Sequence, residues 1–176
     1  MKTKILLLGL CIVFLGATFS GAVRTEIIVR VKTKDAKFLG NLMGGAAVSI
    51  KDAQTGELLA KGLTTGGTGN TTRIMKTPVA RGVPISDDSA AKFTVTIDIN
   101  EPRLIEVTAY GPMVNLQAAN KVSATQWVVP GKHITGGDAW MLELPGFVVD
   151  VIAPPAPATL KGIPQDVIVT ANVMMM

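Results

Sequence analysis

The chain is 176 residues long, 48% hydrophobic, 17% charged and 5% aromatic, with 18 Gly, 10 Pro, one Cys and a formal net charge of +4. That length suits one domain, and a chain so apolar with so few charges is not intrinsically disordered. A single cysteine excludes a disulfide framework and a cysteine-built zinc site, and the abundance of Gly and Pro argues against a helical bundle.

The first segment reads as an export signal. Lys2 and Lys4 form a basic start, Ile5 to Phe19 carries no charge, and Ser20-Gly21-Ala22 places small side chains at a cleavage site. Residues 1–22 are therefore expected to be a signal peptide, and the mature protein periplasmic, extracellular or on the cell surface. The alternative is an uncleaved membrane anchor, because Ile5–Val23 is 19 residues long, just enough to cross a bilayer. A lipid-modified cysteine is not indicated, since Cys11 follows Leu10 in mid-segment. Cleavage would leave 154 residues, and the net charge would fall to +2 because Lys2 and Lys4 leave without any acid. The cysteine would leave too. A chain of about 150 residues buries roughly two-thirds of its unfolded surface, enough for stability without cross-links. The densest basic group, Arg30, Lys32, Lys34 and Lys37, lacks stacking aromatics, so no nucleic-acid partner is expected.

In chain order, period-two alternation dominates. Arg24–Lys34 turns Ile27, Val29 and Val31 inward and Arg30 and Lys32 outward, as in a strand with one buried face. Further strands are expected at Ala46–Lys51, Glu57–Thr64, Lys92–Ile99, Arg103–Ala109, Ser123–Val129, Ala139–Leu144, Phe147–Ile152 and Asp166–Val173, all rich in Val, Ile, Thr and aromatics. A single helical turn is expected at Ser86–Ala91, with Ser86 as its N-cap. Trp127 and Trp140 are expected to fill the core from paired late strands. Many short strands with turns between them predict an all-β fold, an antiparallel β-sandwich over 23–152. The proline-rich 153–165 would be a linker or sheet edge, and 166–176 a terminal strand.

One hairpin is specified in detail. Val48-Ser49-Ile50-Lys51 runs into Asp52-Ala53-Gln54-Thr55-Gly56, and Glu57 to Gly62 runs back. Asp52 is placed to accept backbone N–H groups ahead of it, and Gly56 to take a positive φ. The run V-S-I-K-D-A-Q-T-G-E-L-L-A-K-G-L-T-T resembles the opening hairpin of transthyretin-like and carboxypeptidase-regulatory-like domains. That resemblance covers about 20 residues and implies an exported, immunoglobulin-like β-sandwich with an accessory or structural role. It transfers no active-site residue. The glycine-rich Thr65–Asn70 stretch departs from it, since that family has a shorter turn there.

Gly66-Gly67-Thr68-Gly69-Asn70-Thr71-Thr72-Arg73 lacks the Lys-Ser/Thr of a phosphate loop, and Thr72 stands where a dinucleotide fingerprint needs its third Gly. It reads as a tight or flexible loop. His133 is the sole histidine; a hydrolytic triad would join it to Asp138 and a serine, but no nucleophile elbow is present. No catalytic residue is assigned. Asp87, Asp88, Asp98, Asn100 and Glu101 are the oxygen ligands on offer for calcium. The mature methionines Met43, Met75, Met113, Met141 and Met174 to Met176 are the thioethers on offer for copper. No cofactor follows from either set. The apolar end, Met174, Met175 and Met176, has three accounts: a buried last strand, a surface that meets a partner, or a truncated chain. The expectation is thus an exported, non-catalytic module with a structural, adhesive or assembly role, meeting a protein partner or itself through an edge or the C-terminal strand. The alternative is a periplasmic protein that binds a ligand, calcium or copper. A membrane contact would come only through an uncleaved N-terminal segment.

Overall fold

The structure, a computed structural model, describes residues 21–162, 164 and 166–175. Most of the expected signal segment, and Met176, lie outside the described residues.

The fold is all-β. Strand β1 (Val23–Thr33) pairs antiparallel with β4 (Phe93–Ile99) and parallel with β7 (Trp140–Leu144). A second sheet has the order β3 (Leu58–Leu63), β2 (Ala47–Asp52), β5 (Arg103–Gly111), β6 (Asn120–Val128), with every pair antiparallel. The inward side chains of the two sheets share one core. Ile27, Val29, Val31, Ile97, Ile99, Trp140, Leu142 and Leu144 come from the first sheet, and Val48, Ile50, Ile105, Val107, Ala109 and Val128 from the second. The two sheets thus pack face to face. Strand β3 lies against β4, and β6 against β7, so the lateral edges of the two sheets face each other. Among the described residues no helix is long and apolar enough to cross a membrane.

The expected hairpin forms as its residues dictate. Asp52 Oδ1 accepts the Gln54 and Thr55 N–H groups, both at 2.9 Å, and Gly56 has φ +77°. The Thr55 amide is the main reason the Asp52 carboxyl sits below the ordinary 3.8. Arg103 ties the hairpin to β5, with Nη1 2.8 Å from Glu57 and 3.6 Å from Asp52.

The sheets are antiparallel as expected except for the one parallel pair, β1–β7. Three sequence expectations are corrected. The late strands are not partners: β6 pairs with β5 and β7 with β1. Consequently Trp140 is buried but Trp127 is 59% exposed, because β6 turns Val122, Ala124 and Val128 inward and its odd positions outward. Arg30 does lie on the outer face of β1, yet it is only 7% exposed. A segment from Thr64 to Lys92 straps over that face, bridged at Thr65–Lys92 and Gly67–Ala90. Phe38, Ala90 and Ala91, with Ile74 and Ile85, make a second small core beneath it. Arg30 Nη1 donates to the Ala90 carbonyl at 2.6 Å, and its guanidinium lies 5.9 Å from the Phe38 ring centre. Lastly, Ser86 caps no helix. The helical turn is α1 (Thr71–Met75), capped by Asn70, whose Oδ1 accepts the Arg73 N–H at 3.0 Å.

Beyond the sandwich, β8 (Phe147–Ala153) and β9 (Thr170–Met175) form a separate antiparallel ribbon. Its loop is the proline-rich stretch, and the last strand starts four residues later than expected because residues 166–169 stay irregular.

Candidate interaction surface

The β8–β9 ribbon carries the least expected surface. Its register sets Phe147 opposite Met175, Val149 opposite Val173 and Val151 opposite Ala171. Directly opposed residues in an antiparallel pair share a face. One face of the ribbon is therefore wholly apolar, and all six side chains are exposed. The other face carries Val148, Asp150, Met174 and Asn172. Val148 is fully buried and anchors the ribbon in the sandwich core. Antiparallel sheets ordinarily turn their apolar face inward, and contiguous exposed apolar patches of this kind mark interaction sites. A buried last strand is ruled out: every described residue of β9 is exposed.

The ribbon has unequal edges. On the β8 side, the Gln117 side chain accepts the Val151 N–H at 2.6 Å and donates to the Val151 carbonyl at 3.5 Å. On the β9 side, no described residue pairs with the outer edge. The strand Thr170-Ala171-Asn172-Val173-Met174-Met175 contains no charge and no proline, the devices by which edge strands are usually shielded.

A second apolar feature lies on the outer face of the four-stranded sheet. Ala47 and Ser49 leave a groove of about 490 Å³ between Leu63 on β3 and Tyr110 on β5, with Lys61 and Thr108 along it. The small side chains of β2 create it, since larger neighbours stand on either side in register.

The other sequence candidates are occupied by structural work. In the glycine-rich loop, Gly66 N–H goes to Asn41 Oδ1 at 3.1 Å, Gly67 N–H to the Ser89 carbonyl at 2.7 Å and Asn70 N–H to Asp87 Oδ2 at 2.9 Å. Those amides are the donors a bound phosphate would need. Asp87 also accepts the Ser89 hydroxyl at 2.6 Å and the Ser89 and Ala90 N–H groups. The Ser89 hydroxyl is the largest of the contacts that lower its carboxyl pKa. His133 is exposed on the segment before β7, and its Nδ1 accepts the Glu26 N–H at 2.9 Å. Asp138 accepts the Ser86 N–H at 2.7 Å and the Ile85 N–H at 3.1 Å. Burial pushes the Asp138 carboxyl up, but the Ser86 amide and hydroxyl, the Ile85 amide and the Arg30 charge outweigh it and hold it below the ordinary value. His133 and Asp138 are each committed to backbone amides rather than to one another. Asp88 is exposed in the strap, Asp98 lies on the outer face of β4, and Asn100 and Glu101 lie in the β4–β5 turn. Among the described residues no three His, Cys, Asp or Glu side chains group to hold a metal ion. Of the described methionines, Met43 packs against the core and Met113 is half-buried, whereas Met75 and Met141 are exposed on separate elements and Met174 and Met175 are exposed side by side on β9.

Comparison with family models, curated proteins and solved structures gives no match.

The ribbon face was half legible in the sequence. The sequence marks Met174, Met175 and Met176 for interaction: Met175 stands exposed on the apolar face, Met174 stands exposed on the opposite one, and Met176 lies outside the described residues. It does not mark Phe147, Val149 and Val151 as surface. Their alternation with Val148 and Asp150 marks one face, but not which face the sandwich covers.

Proposed function

We propose that this chain is an exported, non-catalytic β-sandwich module with a structural, adhesive or assembly role at the cell surface or in the periplasm. It meets a protein partner through the β8–β9 ribbon. The observation that carries the reading is the solvent-facing apolar row of Phe147, Val149, Val151, Ala171, Val173 and Met175 beside an unshielded strand edge. Such an edge accepts an added strand by main-chain hydrogen bonds, and alternate side chains give specificity. The basic start and uncharged run of residues 1–22 support export. The Asp52–Gly56 hairpin supports a transthyretin-like or carboxypeptidase-regulatory-like relationship, in which a sandwich serves as an accessory domain. The test has two arms. A reporter enzyme active only after translocation, fused behind Ala22, must show activity. The mature chain must associate with itself or with an envelope fraction, and Val149→Asp with Val173→Asp must abolish that association. Unimpaired association of the double variant overturns the reading.

A second reading, binding of a small apolar ligand in a periplasmic carrier, draws on the groove between Leu63 and Tyr110. Filling it by Ala47→Phe would remove any ligand-induced rise in thermal stability.

A further inference from the structure

We propose that the ribbon's partner is a second copy of this chain, joined antiparallel through β9 about a twofold axis at Val173. This rests on the interaction role given to the ribbon above and names its partner.

The direction of the backbone groups decides which residues are free to pair. In a strand, the N–H and C=O of one residue point to the same side and those of the next to the other. The Val151 N–H and C=O are both taken by Gln117, so Val151 points away from β9. By alternation Val149 also points away, while Asp150 and Val148 point toward β9. Their partners Asn172 and Met174 then bond back to β8. Ala171, Val173 and Met175 are left with their backbone groups directed outward.

These three residues are also the ones whose side chains build the apolar face. Pairing Val173 with Val173 of a second copy, and Ala171 with Met175, engages every outward group and keeps all apolar side chains on one side. A slip of one residue would turn one copy's apolar face to the opposite side of the joined sheet. The requirement for bonding and the requirement for faces therefore exclude the same odd slips, and of the registers that remain the one centred on Val173 alone engages all three outward residues of both copies; it is symmetric. An isologous contact of this kind is the commonest basis of soluble dimers. The strand is uncharged, so two copies meet without the repulsion of like charges set opposite one another. Pairing also answers a local deficit: two strands alone are marginal in water, whereas more strands with an apolar face are stable.

The experiment uses the chain from Val23, which contains no cysteine, and single-cysteine variants of it. In the proposed register the two Val173 Cα atoms lie about 5.5 Å apart, within disulfide range. Ala171 lies about 14 Å from its own copy but opposite Met175. Mild oxidation of Val173→Cys should give a covalent dimer, and Ala171→Cys alone should not. Mixing Ala171→Cys with Met175→Cys should give a mixed dimer. Sedimentation equilibrium of the unmodified chain should show dimers forming over roughly 1 to 500 µM, as a small interface requires. Val173→Pro, which removes an outward N–H and no bond to β8, should abolish them, with circular dichroism confirming that the sandwich stays folded. Equal cross-linking of Val173→Cys and Ala171→Cys overturns the register. A chain that stays monomeric throughout overturns the second copy as partner. If that monomer still binds an envelope fraction through the ribbon, the interaction role survives with a foreign partner; if it binds nothing, both readings fail.

Discussion

Removing residues 154–176 tests whether the ribbon is ornament or foundation. Among the described residues of that stretch none is buried, and no core side chain leaves with it. What is lost is the pairing of β9 with β8, a two-stranded contact of marginal worth in water. The expected cost at about 1 µM protein is under about 1 kcal/mol, in line with surface changes generally. For a chain of this size that is a fall in Tm of less than about 4 °C. Ending the chain at Pro145 instead also removes Val148, which is fully buried. Burying one such side chain contributes about 1.5–3 kcal/mol, so Tm should drop by about 3–12 °C. Urea unfolding of the two truncations and the chain from Val23, at about 1 µM and again near 100 µM, separates the terms. Self-association stabilises by mass action, so only the chain that keeps β9 should gain stability with concentration. A loss above about 2 kcal/mol at low concentration for the 154–176 deletion would refute the reasoning, because β9 would then be holding the core.

Other outcomes follow from the packing and the titrating groups. Trp140→Ala should cost about 3–5 kcal/mol by leaving a core cavity, and Trp127→Ala only about 1 kcal/mol; iodide should quench the Trp127 emission that remains in Trp140→Phe. The carboxyls of Asp52, Asp87 and Asp138 are lower in the folded state than the ordinary 3.8. Their stabilisation is thus complete above the unfolded value and is lost as pH falls through the depressed ones. Thermal scans should be flat from neutrality to about pH 5 and fall steeply below about pH 4, with Asp138→Asn flattening that acid limb. At Gly45, φ is +70° and an added Cβ would lie 2.3 Å from the Thr64 carbonyl oxygen, so Gly45→Ala should cost more than about 2 kcal/mol. Gly56→Ala, at φ +77° with nothing within 4 Å, should cost about 1 kcal/mol; urea titrations compare the two.

Local order in this protein is written locally. The alternation of Phe93, Val95, Ile97 and Ile99 against Thr94, Thr96 and Asp98 needs no partner to declare a strand, and β4 follows it. The Asp52–Gly56 turn is likewise set by a carboxylate and a glycine four positions apart. What depends on distant residues was not legible. Arg30 alternates as a solvent-facing residue and does face outward, but the strap that covers it is some 60 residues away. The parity of β6 does tell that Trp127 faces away from Val122, Ala124 and Val128, whereas a tryptophan's apolar bulk by itself points to the core. The parallel β1–β7 pairing has no signature within either strand. The interaction surface was divided between these cases: the apolar end was visible, but Val148 alone reveals which side of β8 meets the core.

Gln117 has a consequence for how large any assembly can become. A ribbon open on both sides would add copies without limit and grow into a fibre. Here the glutamine amide stands in for a neighbouring strand at Val151 and occupies that position on one side. A strand adding along β8 would have to displace it, so in the proposed dimer, joined at β9, further growth is hindered at each end. Light scattering of such a dimer should level off with concentration rather than climb.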